Sequence, residues 1–325
     1  MKKNLLDIFN EKPVDLPIVA VTGGKGGTGK TTVAVNLAVA LTGIGHRVLL
    51  VDTDVDSPTT SIILGVRPVL LQTVETFVPK IVEEKCTKCG RCAEVCRAHA
   101  LVQIKERYPM FFEELCSGCE ACRIVCPVQA IAAAKKTLGH LNRASKDGLT
   151  FIGGELRIGE ARSAEVVVAA KDVAFKEVCK GDYDIMIVDT APGTHCNVVQ
   201  GLRSADLALA VTEPTPLGIY DLGLILQLSR TIGVPAKVVI NKSTLAGRDM
   251  EGVANVARKY ESEVLTEIPV DKELFRAYVA GKPLVEADPN SPAAVALRNM
   301  AELVSRCMKL HASSDQFTQE PLKKR

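Results

Sequence analysis

The stretch VTGGKGGTGKTT, residues 21–32, carries the residue types that hold a polyphosphate. Gly24, four further residues and then Gly29, Lys30 and Thr31 satisfy the spacing G-x-x-x-x-G-K-[ST] of a phosphate-binding loop. Gly24, Gly26, Gly27 and Gly29 let the backbone turn its N–H groups inward, joined by those of Lys25, Thr28 and Thr32, so that the loop closes around phosphate oxygens. Lys30 is placed to neutralise β/γ-phosphate charge, and the Thr31 hydroxyl to ligate Mg²⁺. One lysine satisfies this motif, yet Lys25 stands five residues ahead of Lys30.

A second chemistry is written in sulfur. Eight of the eleven cysteines fall within residues 86–126, as Cys86, Cys89, Cys92 and Cys96 and then Cys116, Cys119, Cys122 and Cys126. Each run reads C-x2-C-x2-C-x3-C, and the segment 84–101 realigns with 114–131 at an offset of 30. Three thiolates this close can hold three irons of one cubane, while the fourth is displaced toward a companion cluster. Zinc sites instead pair ligands across longer loops. The segment resembles a bacterial two-[4Fe-4S] ferredoxin. That resemblance implies one cluster on Cys86, Cys89, Cys92 and Cys126 and the other on Cys116, Cys119, Cys122 and Cys96. Pro127 follows the last cysteine of the second run, whereas Arg97 follows that of the first. Lys85, Lys88, Arg91 and Arg97 surround the first run against Glu94; Glu113, Glu114 and Glu120 surround the second against Arg123. Nearby cations favour the added electron, so the first cluster is expected to have the higher potential.

The loop KGGTGKTT, with its additional Lys25, resembles the deviant phosphate loop of the MinD/ParA/nitrogenase iron protein class of ATPases. In that class the extra lysine reaches across a nucleotide-sandwich dimer to the partner's phosphates, which implies a homodimer and a catalytic role for Lys25 beside Lys30. VDTD (51–54) resembles the class's first switch, implying that Asp54 positions the attacking water and Asp52 sits behind the Mg²⁺ ligands. IVDTAPG (187–193) resembles its second switch, implying that Asp189 holds Mg²⁺ through water and Gly193 senses the γ-phosphate. Asn241 in VVINKST ends a strand where the class contacts the base, and Thr244 replaces the aspartate a guanine reader would carry, so adenine, hence ATP, is expected. The resemblance covers roughly residues 17–75 and 150–310. Cys196 lies seven residues after Asp189, as in the nitrogenase iron protein, but the second cysteine which that protein needs is missing near Ala161. Cys196 therefore reads as a buried or lightly reactive thiol more than a ligand, His195 as a loop residue, and Cys179 and Cys307 as packing residues.

These residues need elements to position them. PIVAVT (17–22), RVLLVD (47–52), YDIMIVD (183–189), DLALAVTEP (206–214) and AKVVIN (236–241) are short apolar runs separated by helix-like stretches. Such strands belong to a parallel sheet covered on both faces, so the fold class is α/β: a mostly parallel, doubly wound phosphate-loop NTPase sheet. The helix from Lys30 to Leu41 places Val33, Leu37 and Leu41 on one face. From Gln72 to about Thr150 the rhythm breaks, which implies a small inserted α+β ferredoxin-like domain at 79–136, between NTPase parts at 1–78 and 137–325. The tail 311–325 is polar and expected to be disordered.

Composition narrows the function. The chain has 325 residues, 47% hydrophobic, with a net charge of +2 at pH 7. That charge, 4% aromatics and no Trp argue against nucleic acid as a partner. MKKNLLDIFNEKP has no apolar run that would make a secretory leader, and no segment is long enough to insert stably in a membrane. A cytoplasmic protein is expected, with free thiols. The two modules together resemble MinD-superfamily ATPases carrying an inserted ferredoxin domain, which implies ATP, Mg²⁺ and two [4Fe-4S] clusters as cofactors and an ATP-gated electron carrier working on a redox partner protein. An iron-sulfur or metallocofactor assembly or carrier ATPase is the alternative. A MinD-like positioning ATPase ranks last, since the helix near 293–310 reads as ordinarily amphipathic.

Overall fold

A computed structural model describes Leu6 and residues 9–310. In chain order the elements are β1 (Ile18–Thr22), α1 (Lys30–Gly43), β2 (Val48–Asp52), α2 (Thr60–Leu64), β3 (Val69–Ile81), α3 (Arg91–Glu94), β4 (Leu101–Val102), β5 (Met110–Phe111), α4 (Ala121–Ile124), β6 (Ile131–Lys146) and β7 (Leu149–Leu156). There follow α5 (Ser163–Val178), β8 (Ile185–Asp189), α6 (Cys196–Leu202), β9 (Leu207–Thr212), α7 (Pro216–Ile232), β10 (Ala236–Asn241), α8 (Met250–Lys259), β11 (Glu263–Ile268), α9 (Lys272–Val279), α10 (Leu284–Ala287) and α11 (Pro292–Cys307). The chain folds into two compact units. Of the described residues, the larger takes those up to Gln72, His140–Leu156 and those from Ala161 on; the smaller takes Thr73–Gly139 and Arg157–Glu160. The expected disordered tail, 311–325, lies outside the described residues. Among the described residues no helix is long and apolar enough to cross a membrane.

The sheet runs in the order β11-β10-β9-β1-β8-β2-β7-β6-β3. Every pair from β11 to β7 is parallel. Parallel strands need crossover helices, and those helices cover both faces, so β1, β2 and β8 are buried along their whole length. Alternation then sorts the side chains: Val19 and Val21 join one core with Val33, Leu37 and Leu41 of α1 and Leu297, Met300 and Val304 of α11. Ile18 and Ala20 join the other, with Val198 and Leu202 of α6 and Leu222, Ile225 and Leu226 of α7. Helix α1 is buried on more than the expected face, because α11 packs over it and the sheet lies beneath. Strands β3, β6 and β7 fall where the sequence showed only a break in rhythm. β6 and β7 are joined by Asp147-Gly148, whose φ values of 44° and 83° make the tight turn of a two-residue hairpin.

The smaller unit is built twice. Single turns at Glu83–Lys85 and Glu113–Leu115 precede α3 and α4. Val82 N donates to Ala130 O and Phe112 N donates to Ala100 O, both at 2.8 Å, so the entry to each half is tied to the exit of the other. Its buried core is Cys92 with Leu101 and their counterparts Cys122 with Ile131. The repeat extends to the backbone: φ is positive at Lys88 (60°) and Gly118 (71°), at Gly90 (84°) and Glu120 (61°), and at His99 (53°) and Gln129 (51°). Lys88 and Glu120 adopt a conformation that L-residues resist, which shows that the fold demands it at both copies.

Ile187, fully buried at the centre of β8, reports on the larger unit. Ile187→Ala is expected to destabilise that unit by about 2–5 kcal/mol in chemical denaturation, through lost burial and a residual cavity.

Candidate functional site

Parallel pairing gathers the phosphate loop and the acidic residues at one edge. Val21 and Asp52 are both registered against Asp189, on either side of β8. The loop leaves β1 and enters α1 through Gly29, whose φ is 93°. A Cβ there would lie 2.3 Å from Asn241 Nδ2, and one on Gly24 would lie 2.5 Å from Asp221 O, so neither position accepts a side chain. The N-terminus of the 14-residue α1 thus carries free N–H groups and the positive end of a helix dipole, an anion site by construction. Thr28 and Lys30 are buried, and Lys30 Nζ donates to Lys25 O at 3.0 Å. Burial pulls the Lys30 ammonium below its ordinary pKa, against the opposing pull of Asp189 and Asp54.

Three carboxyls face this lysine's neighbourhood. Asp52 is fixed by Asp54 N (2.9 Å) and Thr60 N (3.3 Å); Asp189 Oδ2 accepts from the Thr60 hydroxyl at 3.2 Å. Asp189 Oδ1 is buried and has no hydrogen-bond partner, an acceptor suited to a water on a divalent cation beside Thr31. Burial pushes Asp189 up to about 7 and Asp54 up to about 6; burial, and then the charge of Asp189, hold Asp52 well above the ordinary carboxylate range. Gly193 N donates to Gly23 O at 3.1 Å, tying the segment after β8 to the start of the phosphate loop. Thr53 anchors the 52–54 turn to β8 through two bonds to Asp189 O, 2.8 Å from its N and 2.7 Å from its hydroxyl.

Asn241, at the end of β10, donates to Thr28 O at 2.8 Å and accepts from Lys242 N at 2.9 Å. It thereby braces the phosphate loop against the end of β10. The Thr244 hydroxyl accepts from Val270 N at 3.0 Å and so fixes the following loop. Three residues unmarked in the sequence also belong here: Thr60, and the pair Glu213 and Lys242, which salt-bridge to one another at 2.5 Å. Glu213 also meets Lys25 at 3.5 Å.

In the smaller unit the eight motif thiols line two cavities. Cys86, Cys89, Cys92 and Cys126 share one with Ile81, Arg91 and Gln103; Cys96, Cys116, Cys119 and Cys122 share the other with Phe77, Phe111 and Glu120. Each set takes three thiols from one half and the fourth from the other half. Burial raises the Cys92 thiol and lifts Cys122 to about 11, while the Ala121 N–H draws Cys119 down. Cys126 Sγ accepts from Ala130 N at 3.2 Å and Cys116 Sγ from Gly118 N at 3.5 Å, the kind of donor that stabilises thiolate. Among the described residues no three His, Cys, Asp or Glu side chains converge tightly enough to hold a single metal ion. A cubane makes no such demand, since each iron takes its own thiolate. Four thiols per apolar cavity therefore suit a [4Fe-4S] cluster.

The other three cysteines are all exposed, against the expected packing of Cys179 and Cys307. Cys179 caps the end of α5 and Cys307 closes α11, where the apolar stripe has already turned into the core. Cys196 opens α6 with His195 as its cap residue.

A phosphate loop between β1 and α1, with carboxylates on the neighbouring parallel strands, defines a P-loop nucleotide-binding fold. Residues 19–284 match the CobQ/CobB/MinD/ParA nucleotide binding domain, and the chain belongs to that family of P-loop ATPases. It is 34% identical over 269 residues to an uncharacterized protein of Methanocaldococcus jannaschii, covering 82% of this chain and 91% of that one. It is 24% identical over 306 residues to the iron-sulfur cluster carrier protein of Aquifex aeolicus, covering 90% of this chain and 68% of that one. Among solved structures, the septum site-determining protein MinD of Pyrococcus horikoshii, complexed with Mg-ADP, superimposes with a TM-score of 0.57 at 22% identity, covering 90% and 97% of the two chains.

The raised carboxyls set a pH dependence. Each keeps its proton to a higher pH in the folded chain than in the unfolded one, so folding stability falls as the pH rises from about 4 through about 7. Without added nucleotide or Mg²⁺, the melting temperature is expected to be higher at about pH 5 than at about pH 7.5, and Asp52→Asn to shrink that difference.

Proposed function

We propose that the chain is an ATP-gated electron carrier: a homodimeric, Mg²⁺-dependent ATPase whose nucleotide state controls two [4Fe-4S] clusters. The observation that carries this reading is the reciprocal sharing of thiols, three from one half and one from the other, in a chain of a P-loop ATPase family. The thiol segment also lies in sequence between Asp54 and Asp189, the two stretches that flank a bound γ-phosphate in this reading. Bound [4Fe-4S] clusters would supply one-electron chemistry. Cys86, Cys89, Cys92 and Cys126 would hold one, and Cys116, Cys119, Cys122 and Cys96 the other.

The geometry supports the following roles at the phosphate site. Gly24–Thr32 would wrap the phosphates with backbone N–H groups, Lys30 would leave Lys25 O for the β/γ oxygens, and Thr31 and Asp189 would hold Mg²⁺. Asp52 stiffens the Asp54 turn behind them, and Asp54 orients the attacking water. Gly193 N exchanges Gly23 O for the γ-phosphate, which moves the segment after β8. Lys25 reaches the partner protomer's phosphates, and Asn241 faces adenine. The domain division proposed with this reading is NTPase at 1–78 and 137–325, with a ferredoxin-like insert at 79–136.

A second reading, delivery of iron-sulfur clusters to other proteins, draws on the name of the Aquifex relative and on the exposed Cys196. It is weaker, because buried Cys92 and Cys122 favour clusters that stay.

Cys126→Ser and Cys96→Ser separate the readings of the thiols. In redox-titrated EPR of anaerobically purified protein, Cys126→Ser is expected to perturb the same signal as Cys86→Ser, and Cys96→Ser the same signal as Cys116→Ser. The signal lost with Cys86→Ser is expected at the higher potential. Asp54→Ala is expected to retain ATP binding while turnover falls by about a hundredfold or more. Signals grouped by sequence run, or a variant that hydrolyses normally, would count against these assignments.

A further inference from the structure

The acidic residue paired with Lys25 and Lys242 has no part in the phosphate chemistry described above. Glu213 follows β9 at the same sheet edge; its side chain is 12% exposed. Its two oxygens are divided between two ammoniums: Oε2 meets Lys25 Nζ at 3.5 Å and Oε1 meets Lys242 Nζ. Lys242 also donates to Gly27 O at 3.4 Å, so the pair touches the phosphate loop itself. A nearly buried carboxylate is costly to leave unpaired. Here either lysine can leave and the other still neutralises it.

We propose that Glu213 is a positioning residue that holds Lys25 within its own protomer, and that Lys242 is the counter-ion that lets Lys25 go. This rests on the reading in which Lys25 acts across a homodimer. Phosphate charge arriving in the loop repels the Glu213 carboxylate and attracts Lys25. The lysine then swings out to the partner's nucleotide while Lys242 stays on Glu213. The restraint raises the MgATP concentration needed for dimerisation, and the second lysine keeps that increase small.

Two substitutions therefore shift the same quantity in opposite directions. With full-length protein purified anaerobically, the monomer–dimer midpoint is followed by light scattering or sedimentation against MgATP concentration. Binding of a fluorescent ATP analogue is measured in parallel at protein concentrations where only monomer exists. Glu213→Gln is expected to lower the dimerisation midpoint roughly tenfold, the worth of one charge-assisted contact, with monomer affinity unchanged. Lys242→Met is expected to raise it, because releasing Lys25 then strands Glu213. Glu213→Gln placed on Lys25→Ala is expected to do nothing, since no lysine remains to be released. A midpoint unmoved or raised by Glu213→Gln, or lowered by Lys242→Met, overturns the proposal. MgATP-dependent dimers of Lys25→Ala that match the unsubstituted protein overturn the underlying trans role instead.

Discussion

Everything at the nucleotide site depends on the parallel register of β1, β8 and β2. Because these strands point the same way and lie side by side, the residues at their ends arrive together: the glycine loop, Asp189 and Asp52. Burial at adjacent strand ends makes both carboxyls resist ionisation, the charge of Asp189 adding to the effect on Asp52 and that of Asp54 to the effect on Asp189. Such carboxyls ionise readily only beside a positive charge; Lys30 supplies one here, pulling Asp54 and Asp189 down against their burial. The same register brings the start of α1, which follows β1 through the phosphate loop, to the sheet edge where Asp52 and Asp189 end their strands.

The smaller unit obeys a different constraint, that of two copies closing on each other. The crossed bonds Val82–Ala130 and Phe112–Ala100 force the last cysteine of each half toward the other half's cavity. Where the halves differ, they differ in charge: Arg91 lines the first cavity and Glu120 the second. Glu120 is partly neutralised by Arg123 at 2.8 Å, which narrows the contrast without removing it.

Much of this was legible in the residues. Continuous apolar runs marked β1, β2, β8, β9 and β10, because strands buried on both faces leave no room for polar residues. β3 and β6 escaped notice since they carry no such run: β3 exposes Val69, Leu70 and Leu71 and buries Val74 and Val78. The Asp147-Gly148 turn was the available signal for the hairpin. The glycine-lysine loop and the cysteine runs were plain because their chemistry fixes local spacing. Thr60, Glu213 and Lys242 were not, because what joins them to the site is strand order, which sets β2 beside β8 and lines up β9 and then β10 on the other side of β1. Cys179 and Cys307 were misplaced by assuming that thiols pack, when both sit at helix ends.

The proposed function requires that the smaller unit hold iron-sulfur centres and that occupancy of the phosphate loop alter them. The most direct test is the rate at which a small reductant, mixed anaerobically in stopped flow, bleaches cluster absorbance with and without MgATP. The account expects MgATP to change that rate in the unsubstituted protein and to leave it unchanged in Lys30→Ala. Identical rates in the unsubstituted protein with and without MgATP, under conditions where ATP is shown to be bound, would contradict it.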